Sequence, residues 1–533
     1  MADMDKLDIS QLQASLVKDS SVATINILLS LVSFWLVYST LAYIPSRVIR
    51  HIRKRASAWS YLLNGPRLIR EGYERSNGEP YEVLAPDSRY LFVSSPKHIK
   101  EIDTAPDTVL SLNGAAKHML QPLYTMSGFN WFERRGVEGV GFVRTLRTLL
   151  TGNLPQTLPD LSLTTKALFA ELHERHPEVN GVRHSPIYPM MIELVVKLNG
   201  LALFGQELAN NEEFMACALP YVEQTLLTAE IVKLLPKLLR PVVGGMLGCH
   251  LNAHRKFFEY LIPAAQLRCQ ERDLKNLGHE VPKRADCIQW LVDTAPKQKP
   301  WTPERVIYEL MAIWFGSVHI LTTTIVYALH DLCLHPDYID PIRTELLSQY
   351  ADFERAGHGL PLLDSFLRES SRLTPVESMS TRRRALQPFT FSDGTALNVG
   401  DWACSPSGAL MRSEAHYGPS AQQFDGFRFV EPSVLDRLEG GHSGGGQPMA
   451  GRASKKQPAK LTDVDSAFLM WGYGRMACPG RYYAAAFMKV VVGQIIMNYD
   501  LKLVEPGAPR WMTWRAAMLP LGKTMVMFTP RGA

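Results

Sequence analysis

Residues 468–481 read Phe468-Leu469-Met470-Trp471-Gly472-Tyr473-Gly474-Arg475-Met476-Ala477-Cys478-Pro479-Gly480-Arg481. A buried metal-binding thiolate needs a loop tight enough to aim backbone N–H groups at the sulfur, and Gly472, Gly474 and Gly480 permit such turns. It also needs a positive field that keeps the sulfur deprotonated, which a helix starting just after Pro479 supplies. A thiolate of this kind pushes electron density onto iron and favours O–O cleavage. A rival reading takes Gly472-x-Gly474-x-x-Ala477 as a dinucleotide fingerprint, with Glu505 as its acid. Pro479 opposes it, because the helix then starts several residues late. The position near the chain end leaves no room for a full dinucleotide fold.

Working back along the chain, three further groups stand in a meaningful order. Phe424-Asp425-Gly426-Phe427-Arg428-Phe429 supplies an arginine. Glu369-Ser370-Ser371-Arg372 lies in a helical stretch, and residues three apart share a helix face, so Glu369 and Arg372 can pair. A long helix is expected over residues 302–335. Thr302-Pro303-Glu304 opens it with a hydroxyl cap, a proline at the first position and an acid in the first turn. His335-Pro336 ends it.

Taken together, the cysteine loop and these groups resemble the cytochrome P450 family, particularly its fungal microsomal members. Trp471 stands where the family usually has Phe, which keeps a large ring beside the sulfur. The resemblance covers residues 61–528. It implies a haem b held by Cys478 as the metal ligand, with Trp471, Gly472 and Gly480 shaping the loop and Arg475 as a propionate partner. It implies that Arg428 joins Glu369 and Arg372 beneath the haem. Further propionate cations are expected at Arg147, where Val143 stands in the usual tryptophan position and Arg144 is the alternative. Another is expected at Arg382, within a run of three arginines that leaves its neighbours as alternatives.

The same resemblance places the oxygen-activating segment mid-helix. Gly316 and Ser317 take the place of the small residues that pass over the haem, and His319 that of the usual acid. Ile320 falls where most members carry a threonine that holds water for proton delivery. Thr323 and Thr324 lie one turn further on the same face, and the substrate's own hydroxyl is the other candidate. The bland readings are a satisfied helix histidine and a Thr-rich helix face. The lost threonine widens the expected chemistry from hydroxylation to coupling, ring closure or desaturation.

The bulk numbers fit. The chain has 533 residues, 46% hydrophobic, enough for a large core, and a net charge of +5 is too weak to imply a nucleic-acid partner. The 7 cysteines are scattered without a C-x-x-C pair, as in reduced, cytosol-facing proteins. Residues 23–44 carry no charge and as a helix would span about 33 Å, enough for a bilayer core. Arg47, Arg50, Arg53, Lys54 and Arg55 follow it, so the positive-inside rule places the bulk of the chain in the cytosol. The expected organisation is a short lumenal N-terminus (1–22), a transmembrane anchor (23–44) and a basic linker (45–60). A mainly helical, α+β catalytic domain (61–533) follows, with small sheets and a mobile Gly/Ser-rich insertion at 440–460.

Strand-like runs are expected at 81–84 and 89–93 around a turn with Pro86, Asp87 and Ser88, and again at 378–386, 389–391, 402–404 and 511–528. Helical periodicity covers 67–76, 161–175, 187–204, 214–235, 250–273, 361–372 and the stretch after Pro479. The pocket lining is expected from 112–131, 214–235, 314–320, 376–379 and 511–518, an apolar set suited to a polycyclic or aromatic secondary metabolite. Family resemblance further implies O2 as oxidant and an endoplasmic reticulum membrane location. It implies electrons from NADPH through NADPH–cytochrome P450 reductase, with cytochrome b5 as a second donor. Lys489 and Arg481 are candidate docking cations. A reductase-independent haem isomerase or dehydratase and a non-catalytic haem-binding scaffold are the readings from other classes.

Overall fold

The computed structural model describes residues 46–126, 141–179, 182–296, 300–440 and 458–531. The expected anchor at 23–44 and most of the 440–460 insertion lie outside the described residues. Two compact units divide between Trp59 and Ser60. In the first, residues 46–59 are helical.

Helices of eight residues or more are α1 (Ser46–Ser76), α2 (Pro96–Thr104), α3 (Leu112–Leu120), α4 (Leu154–Glu174), α5 (Ile187–Phe204), α6 (Glu212–Leu234), α7 (Arg240–His250), α8 (Ala253–Asn276), α9 (Cys287–Thr294), α10 (Pro303–Ser317), α11 (His319–Leu334), α12 (Ile339–Ala356), α13 (Pro361–Leu373), α14 (Pro432–Gly440) and α15 (Arg481–Asn498). Strands are β1 (Tyr81–Leu84), β2 (Arg89–Phe92), β3 (Leu110–Ser111), β4 (Glu178–Val179), β5 (Val182–Pro186), β6 (Ser380–Ala385), β7 (Phe389–Thr390), β8 (Ala396–Leu397), β9 (Trp402–Ser405), β10 (Tyr499–Leu503), β11 (Trp511–Trp514), β12 (Ala517–Pro520) and β13 (Met525–Pro530). The mainly helical α+β expectation holds. The main sheet runs β1-β2-β9-β6-β3, and a second runs β10-β13-β5-β4. The β4–β5 pair was not anticipated, since its short, charged run Val182-Arg183-His184-Ser185-Pro186 has little strand periodicity.

Local chemistry explains the helix starts. Thr302 accepts from the Arg305 N–H, with Pro303 at the first position and Glu304 in the first turn, as its sequence implies. Asn211 caps α6 by accepting from Phe214, and Asp286 caps α9 by accepting from Gln289. The sequence predicts one helix over 302–335, but the chain breaks it at Val318 (φ −91°, ψ −73°). Gly316 and Ser317 sit just before the break, the kind of pair at which helices kink. The Ser317 carbonyl there accepts from Asn199 Nδ2 at 3.0 Å.

Helices α4, α5, α11, α13 and α15 share one apolar core around Leu158, Leu194, Ile325, Phe366 and Val491, all at 1% exposure or less. Among the described residues, two stretches, Ile187–Phe204 and Pro303–Leu334, are long and apolar enough to cross a membrane, but most of each is buried inside the protein, as core helices are.

Burial also sets an acid limit on the fold. His118 and His330 are pushed down to about 3, and His319 to about 4, by desolvation first; Arg384 adds to it at His118 and Arg510 at His330. Each is neutral when folded. Below about pH 6.5 the unfolded chain takes up these protons first, so stability present above that pH is lost as it falls towards 4. Each histidine contributes roughly 1.4 kcal/mol per pH unit to that slope. Chemical denaturation between pH 7 and 5 should show the midpoint falling, and a flat midpoint would contradict the burial.

Candidate active site

The loop before α15 is closed by its own backbone. The Cys478 N–H donates to the Trp471 carbonyl at 2.7 Å, and Gly472 N–H to Leu469 at 3.0 Å. Gly472 and Gly474 take φ of +82° and +60°, the left-handed region that disfavours side chains. Trp471 is buried, and its indole Nε1 donates to the Leu461 carbonyl at 2.7 Å. Helix α15 begins at Arg481, three residues past the cysteine, with Gly480 as its cap. Cys478 is half-buried. Burial pushes its thiol up, countered by the Gly480 N–H and by Arg481, so the loop's field works against desolvation. A coordinated metal ion reverses that balance and holds the sulfur deprotonated.

Glu369, Arg372 and Arg428 come together with at most 1% exposure each. Arg372 donates to both Glu369 oxygens, Nε to Oε2 at 2.7 Å and Nη2 to Oε1 at 2.8 Å. Arg428 Nε lies 3.2 and 3.3 Å from the same two oxygens, and the Asp425 N–H donates to Oε1 at 3.0 Å. Other guanidinium protons go to the carbonyls of Met411, Ala421, Ser420 and Gln423 and to the Ser420 hydroxyl. The cluster thus fastens α13 to the irregular stretch 411–428.

The second half of the kinked α10–α11 pair packs against α15, the helix that follows the loop. Within this buried helix Gly316 and Ile320 are exposed, Ile320 at 51%, and one turn separates them. A β-carbon at Gly316 would meet nothing within 4 Å. Asn199 ties the two elements, donating to Ser317 O and accepting from the Tyr483 hydroxyl of α15 at 2.8 Å. An apolar helix face, open although it lies mid-core, and a half-buried thiol are the donor set and the free face that a flat iron macrocycle requires. The residues fit such a group.

A sequence model of the family described as Cytochrome P450 matches residues 123–527. The chain belongs to the cytochrome P450 family. It is 28% identical over 473 residues to cytochrome P450 monooxygenase olcJ of Penicillium canescens, covering 87% of this chain and 83% of the relative. It is 26% identical over 482 residues to cytochrome P450 monooxygenase penQ of Penicillium crustosum, covering 89% and 88%. The fold matches retinoic acid bound cyanobacterial CYP120A1 at a TM-score of 0.61 and 16% identity, over 89% of this chain and 96% of that one. The protein is therefore an oxidoreductase of the P450 monooxygenase type. P450 membership implies haem iron held by a cysteine thiolate, O2, electrons from a redox partner and a small-molecule substrate.

Several P450 residues anticipated from sequence sit differently from expectation. The Arg475 guanidinium is turned onto the end of α2, donating to the carbonyls of Asp103 (2.7 Å) and Ala105 (2.6 Å). There it answers the negative end of the helix. Lys489 is no docking cation: it is buried, 2.5 Å from Asp364 Oδ1, and donates to Gly359 O. Arg481 holds the Cys478 carbonyl at 3.1 Å and lies over the Tyr482 ring.

Arg144 and Arg147 are exposed, and Arg147 lies in a π-helical turn (Thr145–Leu150). Leu146 of that turn packs 3.7 Å from where a β-carbon on Gly480 would sit, which sets the turn against the cysteine loop. Arg382 follows a bulge at Thr381 (φ +49°) in β6, and its guanidinium meets Glu377 at 3.4 Å and the Met119 sulfur at 3.6 Å. Arg383 is buried.

Thr324 donates to the Ile320 carbonyl at 2.8 Å, and Thr323 is buried. Of the expected lining, 376–379 and 511–518 meet: Met518 N–H donates to Val376 O, and Ser378 N–H to Ala516 O. Phe214 and Tyr221 instead stack on Phe257 in the core. Asn199 and Tyr188, which support this helix, were missed; both lie more than a hundred residues away in sequence, with no local pattern to reveal them.

Proposed function

We propose that this P450 is a single-pass endoplasmic reticulum enzyme. Residues 23–44 anchor it and its catalytic domain faces the cytosol. Cys478 ligates a haem b, whose iron supplies reductive activation of O2. Electrons come from NADPH through NADPH–cytochrome P450 reductase, with cytochrome b5 as a second donor. The substrate is an apolar, polycyclic or aromatic secondary metabolite.

The observation that supports this best is the open Gly316–Ile320 face on the helix pair that packs against α15, the helix that follows the half-buried Cys478 thiol. Around it, Arg147 and Arg382 are the cations assigned to the haem carboxylates, the Glu369–Arg372–Arg428 cluster holds the underside, and the β11–β12 hairpin with 376–379 borders the substrate. Thr323, Thr324 and Ser317 line the same helix. Ile320 carries no hydroxyl, and that favours coupling, ring closure or desaturation as the second reading over plain hydroxylation.

Microsomes holding the protein and its reductase, offered a terpenoid, alkaloid and polyketide panel, test this. The expected result is substrate-dependent NADPH consumption with an oxidised product. Turnover without NADPH would overturn it in favour of an isomerase.

A further inference from the structure

His319 opens α11 directly after the kink, between exposed Gly316 and Ile320 on one side and α5 on the other. Its Nδ1 lies 3.0 Å from the Tyr188 hydroxyl of α5. Its Nε2 is buried and has no hydrogen-bond partner among the described residues. Tyr188 is half-buried, and burial pushes its hydroxyl up to about 12, so it keeps its proton. The His319 ring nitrogen is the partner this phenol O–H has in the structure, and an unprotonated imidazole nitrogen accepts from a phenol.

We propose that Tyr188 is a positioning residue: its hydroxyl donates to Nδ1 of His319, fixing the tautomer that carries its proton on Nε2 and offering that N–H to a water or substrate oxygen during oxygen activation. The inference rests on the oxygen-activating reading of this helix. The imidazole thereby takes over the donor role that Ile320 cannot fill, with the lever placed on a different helix. Desolvation, which holds His319 near 4, keeps the ring neutral at working pH, so one nitrogen donates and the other accepts. The tautomer is then a property that a single hydroxyl controls.

The test is nitrogen NMR of the holoenzyme labelled with [15N]histidine, with the His319 signals assigned by their loss in His319→Gln. The wild type is expected to show one tautomer, protonated on Nε2, and Tyr188→Phe a mixture. In parallel, product formed per NADPH consumed should fall about tenfold in Tyr188→Phe, the lower range for an outer-shell partner, and its solvent isotope effect should rise. A wild-type His319 protonated on Nδ1, or a Tyr188→Phe variant with unchanged tautomer and coupling, overturns the proposal. Because the wild-type spectrum alone decides the tautomer, the proposal stays testable if the variant fails to fold. The carbon monoxide spectrum of the same samples separates the two readings. A red-shifted band with the wrong tautomer sinks the tyrosine's role alone, whereas no band sinks the haem reading and this inference with it.

Discussion

Glu369→Gln should cost about 3–5 kcal/mol, the penalty for leaving buried charge uncompensated, and with it most of the bound haem. Glutamine keeps the shape, so the loss isolates the charge. Three donors converge on this carboxylate, namely Arg372, Arg428 and the Asp425 N–H, and the Glu369, Arg372 and Arg428 side chains are each at most 1% exposed. The triad already carries one net positive charge, and removing the single acid doubles that excess in a buried site. Folded domains have only about 5–15 kcal/mol to lose. Arg372→Ala should be milder in its electrostatics, because a neutral Glu369–Arg428 pair survives. The exposed Arg355–Asp352 pair serves as a control, since surface ion pairs contribute little. Denaturant midpoints and haem content per protein for the variants check the ordering. An E369Q protein with wild-type midpoint and haem would contradict it.

Gly316→Phe should abolish haem uptake while leaving the fold intact. A side chain there meets no neighbour within 4 Å of its first carbon, so the helix can accept it without a clash. Exchange of glycine for phenylalanine even favours the helix by a few tenths of a kcal/mol. The ring would occupy the open Gly316–Ile320 face, which the haem reading reserves for the macrocycle and oxygen. The expected result is native far-UV circular dichroism and an unchanged melting transition of the apoprotein, with no Soret absorbance. Full haem occupancy in this variant would show that the open face serves something else.

How far the sequence carries depends on whether a residue's partner is near it in the chain. The Thr302 cap, the β1–β2 hairpin and the Glu369–Arg372 pair are local, and the chain places them as their spacing dictates. Arg428 joined that pair only through the family resemblance, because its partner is 59 residues away. The turn of Arg475 onto α2 spans 372 residues, and nothing in the loop announces that its cation meets a helix end. Lys489 looked like a surface charge because lysines usually are exposed; its helix is buried on nearly all sides, and Asp364 pairs with it there. The kink at Val318 was half legible. Gly316 and Ser317 permit it, but Asn199 from α5 is what takes up the Ser317 carbonyl there.

The most direct test of the central claim is the carbon monoxide difference spectrum of the dithionite-reduced protein, recorded beside Cys478→Ala. Thiolate-ligated haem predicts a strongly red-shifted Soret band in the wild type that disappears in the variant. A wild-type protein that is folded but shows no such band, or a band that survives loss of Cys478, would contradict the assignment of the metal ligand.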